Sequence, residues 1–242
     1  MPNSPADSLP LLAFGAHPDD LEFGCGGLLA LESRAGRPVH LVVTSRGEAC
    51  TNGTPEIRTR EAEAAAAALG ATLEFIELDG DAHLEVKAAH AIKLAGIIRR
   101  HRPQIVLAPT LVENQHPDHW RLGQLVRDAC RLARFGGLAE LRELAPHAIG
   151  HLFFYAITAD AEPTSPPSAL IDVSDAAVIR AGSDAMNAHA SQQKTRNYTE
   201  LQLTRARLLG LRAGCEHATP LWANDPLVID SLGALGRSAR RF

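Results

Sequence analysis

Short apolar runs alternate with helical patterns along almost the whole chain, and this alternation restricts the fold more than any other feature. The runs VHLVVT (residues 39–44) and QIVLAP (104–109) are almost unbroken in hydrophobicity. Continuous runs of this kind mark strands buried on both faces of a parallel sheet. Residues 11–14, 72–78, 151–157 and 169–173 extend the series of predicted strands. Helical patterns cover 27–35, 57–69, 87–102 and 120–135, with two more at 176–191 and 201–214. Gly70 and Pro103 supply the stops of the second and third of these. Parallel strands joined by crossover helices predict an α/β protein: a Rossmann-like three-layer fold with a mostly parallel central sheet and helices on both faces. No internal repeat is visible, and ADAEPTSPP (159–167) is a Pro/Ser-rich connection rather than an interdomain linker. The expectation is a single domain over residues 1–242, with its core at 11–215.

Charge and thiol usage narrow the partners. A net charge of −4 argues against nucleic acid and anionic membrane, because both require a basic face. The basic clusters at 99–102 and 237–241 are short and read as solvated helix ends or tails. Four cysteines, Cys25, Cys50, Cys130 and Cys215, show no C-x-x-C spacing. They form neither a disulfide framework nor a thiolate metal site, and a cytoplasmic location is expected. Residues 1–10 lack a basic stretch followed by an apolar run, so no signal peptide is read there. No apolar stretch approaches the roughly 18 residues that span a bilayer.

Two loops carry the chemistry. His17-Pro18-Asp19-Asp20 follows the first predicted strand, and His116-Pro117-Asp118-His119 comes shortly after the fourth. In open α/β sheets ligands gather outside the carboxyl ends of the strands, so both loops should meet at one sheet edge. A dinucleotide-binding turn would place glycines where this chain has two carboxylates, which repel a pyrophosphate. Gly24, Gly26 and Gly27 come later, with no strand immediately before them. A nicotinamide-dependent oxidoreductase is therefore disfavoured.

A catalytic metal site takes imidazole and carboxylate ligands and keeps one position for water. One His and one Asp from the first loop plus one His from the second supply three ligands. That leaves an acid and an imidazole to serve as base and oxyanion donor in metal-assisted hydrolysis. An aspartate at a helix start also serves as an N-cap, but capping explains neither His17 nor the His116/His119 pair. A metal-containing module that binds a sugar without catalysis is the rival reading; it would have no use for the spare acid–base pair.

At these residues the chain closely resembles the PIG-L/LmbE family of zinc-dependent N-deacetylases, whose signatures A-H-P-D-D and H-P-D-H stand intact at 16–20 and 116–119. The likeness runs from about residue 11 to Cys215. The stretches 51–71, 78–84 and 171–192 look most like the bacillithiol-pathway branch, which deacetylates N-acetylglucosaminyl-malate. The resemblance implies that His17, Asp20 and His119 hold Zn2+, or Fe2+ in its place. It further implies that Asp19 is the general base and that His116 stabilises the oxyanion or leaving group. It makes Arg58 a candidate grip on an acidic substrate portion, as a bidentate guanidinium suits a carboxylate; pairing with Glu61 or Glu63 on a helix surface is the alternative. Asp81 matches a family aspartate that lines the pocket or supports a ligand, though a turn role in Asp79-Gly80-Asp81 explains it equally. Gln115 stands where the branch carries an arginine, and Glu48 lies beyond the second strand on the same edge; both are read as substrate-pocket residues. His189 reads as a packed helix histidine. The implied partner is a small N-acetylated sugar, with deacetylation of another N-acetyl sugar or small amide as the alternative, and relatives point to a homo-oligomer.

Overall fold

The computed structural model describes residues 9–113 and 116–239. Seven strands form one sheet in the order β3-β2-β1-β4-β5-β7-β6: β1 (Leu11–Gly15), β2 (Val39–Val43), β3 (Thr72–Phe75), β4 (Ile105–Pro109), β5 (His151–Tyr155), β6 (Ala169–Asp172) and β7 (Ala218–Ala223). The strands β1 to β5 pair in parallel, while β7 lies antiparallel between β5 and β6. Among the described residues six α-helices connect them: α1 (Asp20–Arg34), α2 (Pro55–Leu69), α3 (Ala88–His101), α4 (Pro117–Leu132), α5 (Ala176–Ala188) and α6 (Tyr198–Ala213).

The strand period of two sorts the central side chains into two cores. Leu12 and Phe14 of β1, with Val106 and Ala108 of β4, face α3 and α4. Leu11 and Ala13, with Leu41, Val43 and Leu107, face α1, α2 and α5. Both sides of β1 are completely buried, as its unbroken apolar run predicts. The three layers expected from the sequence are present.

Two departures matter. Helix α1 begins at Asp20, seven residues before the predicted start, and incorporates Gly24, Gly26 and Gly27. The sheet also runs past Cys215, because Ala218–Ala223 inserts as β7 despite Pro220. Pro220 is tolerated in register with Leu170 of the edge strand β6. Helix α2 follows local rules: Thr54 caps it through its hydroxyl, Pro55 opens it, and Gly70 closes it at φ 68°.

The strand order reverses between β1 and β4. From β1 the chain winds outward through β2 and β3; from β4 it proceeds the other way to β5. A crevice opens outside the carboxyl ends of the strands at such a switch point. The two His-Pro-Asp loops leave the sheet there.

Candidate active site at the β1/β4 switch point

The loop after β1 is compact. Asp20 turns its carboxylate back over its own helix start, where Oδ2 accepts from the Ala16 and His17 amides at 2.8 and 2.9 Å. Its other oxygen, Oδ1, stands 3.1 Å from His119 Nε2. Asp19 occupies the N-cap position of α1 with φ 104°, yet its side chain makes no capping bond. Its carboxylate is left for other partners. The loop after β4 leads into α4 with Pro117 as first residue, and His116 Nδ1 accepts from the Asp118 amide at 3.3 Å. Gln115 lies outside the described residues.

The two loops meet at His17. Its Nδ1 is 3.3 Å from His119 Nε2 and 3.6 Å from Asp20 Oδ2. On the other side of the ring, Nε2 faces Asp81 Oδ1 at 3.1 Å and Asp118 Oδ2 at 3.3 Å. In the neutral ring these carboxylates would fix the proton on Nε2 and leave the Nδ1 lone pair toward Asp20 and His119. Tetrahedral ligands at about 2.0–2.1 Å from an ion stand about 3.3–3.4 Å apart. His17 Nδ1 and His119 Nε2, 3.3 Å apart, fit that requirement, while Asp20 approaches them through different oxygens, Oδ1 toward His119 at 3.1 Å and Oδ2 toward His17 at 3.6 Å, and stands outside the residue sets whose donor atoms cluster most closely. His116 is also close: one ring nitrogen each from His17, His116 and His119 lies within 4.8 Å of the others. A second set within the same reach joins His17, Asp81, His116 and Asp118.

The electrostatics fit a cation. Burial alone would lower the His17 pKa, but the carboxylates of Asp20, Asp118 and Asp81 outweigh it and push it well above the usual imidazole value. Burial would likewise raise Asp20; His119 and His17 hold it far down instead. Asp19 goes the other way. Burial lifts it to about 6, against the nearby Arg58 guanidinium, which pulls it down. Two adjacent carboxylates are thus driven apart, one firmly ionised and one poised near neutrality.

The remaining predicted residues take distinct places. Arg58 is 4% exposed and turned inward, donating to the Pro18 carbonyl and to Asp19 Oδ2. Its partner is neither Glu61, which binds the Ser191 amide and hydroxyl, nor Glu63. Asp81 is buried behind the histidines, with Oδ1 also 3.4 Å from His116 Nε2 and Oδ2 accepting from the Ala49 amide. Glu48 accepts from the Asp81 amide at 3.1 Å and from the Arg46 amide at 3.0 Å. It braces the Asp81 turn from outside. His189 is completely buried at the end of α5, its Nε2 3.4 Å from Glu22 Oε2. Asp118 carried no assignment in the sequence, although it sits inside the second motif. It is 1% exposed, accepts from the Ala82 amide at 2.8 Å and faces His17. Its signal was its place one residue before His119 in the first turn of a helix entering the site.

Residues 12–130, which hold both motifs, match the family described as PIG-L: GlcNAc-PI de-N-acetylase. The conserved protein TT1542 from Thermus thermophilus is 32% identical to this chain, with a TM-score of 0.81, over 91% of this chain and 97% of its own. The chain belongs to the PIG-L family. Among its relatives, the diacetylchitobiose deacetylase of Thermococcus kodakarensis is 29% identical over 194 residues, 75% of this chain and 69% of that protein. The 4-oxalmesaconate hydratase of Pseudomonas putida is 30% identical over 147 residues. That match spans 56% of this chain and 56% of the hydratase. All four cysteines are free, with Cys25 and Cys130 buried, and no helix among the described residues is long and apolar enough to cross a membrane.

Proposed function

We propose that the chain is a metal-dependent hydrolase that removes the acetyl group from an N-acetylglucosamine-type sugar. The observation that carries this reading is the convergence of the two motifs, with His119 Nε2 3.3 Å from His17 Nδ1 and 3.1 Å from Asp20 Oδ1, beside the Asp19 carboxylate. Those three residues would hold a zinc or ferrous ion. A divalent ion there supplies Lewis-acid chemistry, acidifying a water to a pKa of about 7 and polarising an amide carbonyl.

The chain's own groups do the proton work. Asp19 accepts the proton of the attacking water, its raised pKa making it a base matched to neutral pH. His116 supplies the other proton. Its Nδ1 accepts from the Asp118 amide and its Nε2 faces Asp81, so a proton resides on Nε2, for the developing oxyanion or the departing amine. Asp81 and Asp118 hold the His17 ring in one orientation and one tautomer. Asp20 carries its charge into the site already braced by two backbone amides.

Within this class, the similar stretches at 51–71, 78–84 and 171–192 favour N-acetylglucosaminyl-malate of bacillithiol biosynthesis. The inward turn of Arg58 favours an uncharged N-acetyl sugar. A second reading, hydration of an unsaturated acid, is supported by the 30% identity to the 4-oxalmesaconate hydratase. We also carry forward a homo-oligomeric assembly, testable by light scattering. The deciding experiment gives the zinc-loaded protein N-acetylglucosaminyl-malate, N-acetylglucosamine, diacetylchitobiose and 4-oxalmesaconate in parallel. Acetate release from any of the three sugars is expected. Turnover of 4-oxalmesaconate alone would overturn the deacetylase reading in favour of the second.

A further inference from the structure

Arg58 is 4% exposed and packed beneath the loop that follows β2. Gly47, at φ 71°, lies flat against its guanidinium: a Cβ there would come within 2.7–2.9 Å of Nη1, Cδ and Cζ. A Cβ on Gly53, at φ 87°, would lie 3.3 Å from Arg58 Cγ and 3.0 Å from Ser191 Oγ. The loop carrying these glycines, 45–54, therefore wraps the arginine from β2 to the start of α2. One terminal nitrogen serves two acceptors, the Pro18 carbonyl and Asp19 Oδ2, the latter at 3.1 Å. The buried Nε finds no partner among the described residues. A side chain built to grip a substrate carboxylate would present its fork outward; this one commits Nη2 to the first motif.

What it holds is the Asp19 side of a turn whose other side Asp20 ties to the Ala16 and His17 amides. Asp19 sits at φ 104°, ψ −24°, on the left-handed side that a non-glycine residue adopts only under strain. It gains nothing there from capping its own helix. The arginine ties both the residue before it and its carboxylate to α2. We infer that Arg58 is a positioning residue that locks the Asp19 carboxylate toward the reacting water, rather than a substrate grip. This rests on the deacetylase reading for its kinetic consequence but not for its structural one.

The two roles separate in kinetics. Misplacing a catalytic group by about 1 Å costs about 100-fold in rate. Arg58→Met should lower kcat by about that factor, leave KM for the best acetylated sugar nearly unchanged, and retain the wild-type zinc content. Arg58→Lys should keep the fold and recover part of the kcat. Added methylguanidine should restore part of the kcat of Arg58→Ala. A raised KM with wild-type kcat would overturn the inference and restore the grip. A crystal structure of Arg58→Met, or of Arg58→Lys should the methionine variant not fold, reads the same question without substrate. Displacement of the Asp19 carboxylate and relaxation of its φ are expected. An Asp19 unmoved in that structure would refute the positioning role, whatever reaction the wild type performs; a wild type inert on every sugar would refute only the deacetylase reading.

Discussion

Gly24 offers a sharp test of how α1 is seated. It lies one turn into the helix that Asp20 begins, directly over Tyr155 at the end of β5. A Cβ at this position would fall 2.5 Å or less from Tyr155 Cδ2 and Cε2. The ring cannot step aside cheaply: Tyr155 is completely buried and its hydroxyl donates to the Phe14 carbonyl at 2.8 Å. Overpacking of this kind costs about 1–3 kcal/mol, and losing the hydroxyl bond adds about 1 kcal/mol. Replacing a helix-interior glycine by alanine returns about 1 kcal/mol. Gly24→Ala should therefore destabilise by about 1–3 kcal/mol, lowering Tm by about 2–4 °C per kcal/mol in a chain of this size. Gly26 is the internal control. A Cβ there meets nothing closer than 3.9 Å, so Gly26→Ala should be neutral or stabilising. Urea unfolding of the two variants beside wild type measures both. A Gly24→Ala protein as stable as Gly26→Ala would refute the packing argument.

Other outcomes follow from the same structure. Arg99 is buried and donates to the carbonyls of Ala133, Phe135, Leu141 and Leu144. Arg99→Met strands these acceptors and should cost at least about 3 kcal/mol in urea unfolding, far above an exposed arginine such as Arg142. Burial works against ionisation of Asp79, but the Glu85 amide, His90 and Lys87 hold it down to about 2. Its folded value lies below the unfolded one, so its stabilisation is present above the unfolded value and lost as pH falls through about 2. Asp79→Asn should flatten that part of the stability–pH curve, and an unchanged slope would contradict the bonding seen. His116→Ala should reduce kcat by about 10²–10³, as for loss of one oxyanion donor, in steady-state acetate release; wild-type turnover would remove His116 from the chemistry.

The architecture was legible where hydrophobic pattern alone decides it. The unbroken runs of β1, β2 and β4 announce burial on both faces, and the two motifs follow strands that the alternation makes neighbours of one crevice. The start of α1 was not legible. The predicted helix began only at Gly27, yet the glycines at 24, 26 and 27 all lie inside α1, where they permit close approach: Tyr155 presses on Gly24, and a Cβ on Gly182 of α5 would meet the Gly27 backbone at 3.3 Å. Tertiary contact overrode propensity there. Strand β7 was hidden by Pro220, and its antiparallel insertion depends on β6, which lies more than forty residues earlier. In the site, the motifs named the converging residues but not their second partners. That Asp118 and Asp81 share one nitrogen of His17, and that Arg58 turns to Asp19, depends on distances no spacing encodes.

Asp20 and His119, drawn from two separate loops, must serve one ion together with His17 for any of this chemistry to run. Zinc content after dialysis of wild type, His119→Ala and His116→Ala puts this directly to measurement. The wild type and His116→Ala should each retain a single ion per chain, while His119→Ala should lose it. Equal retention by all three, or loss from His116→Ala alone, would contradict the ligand set.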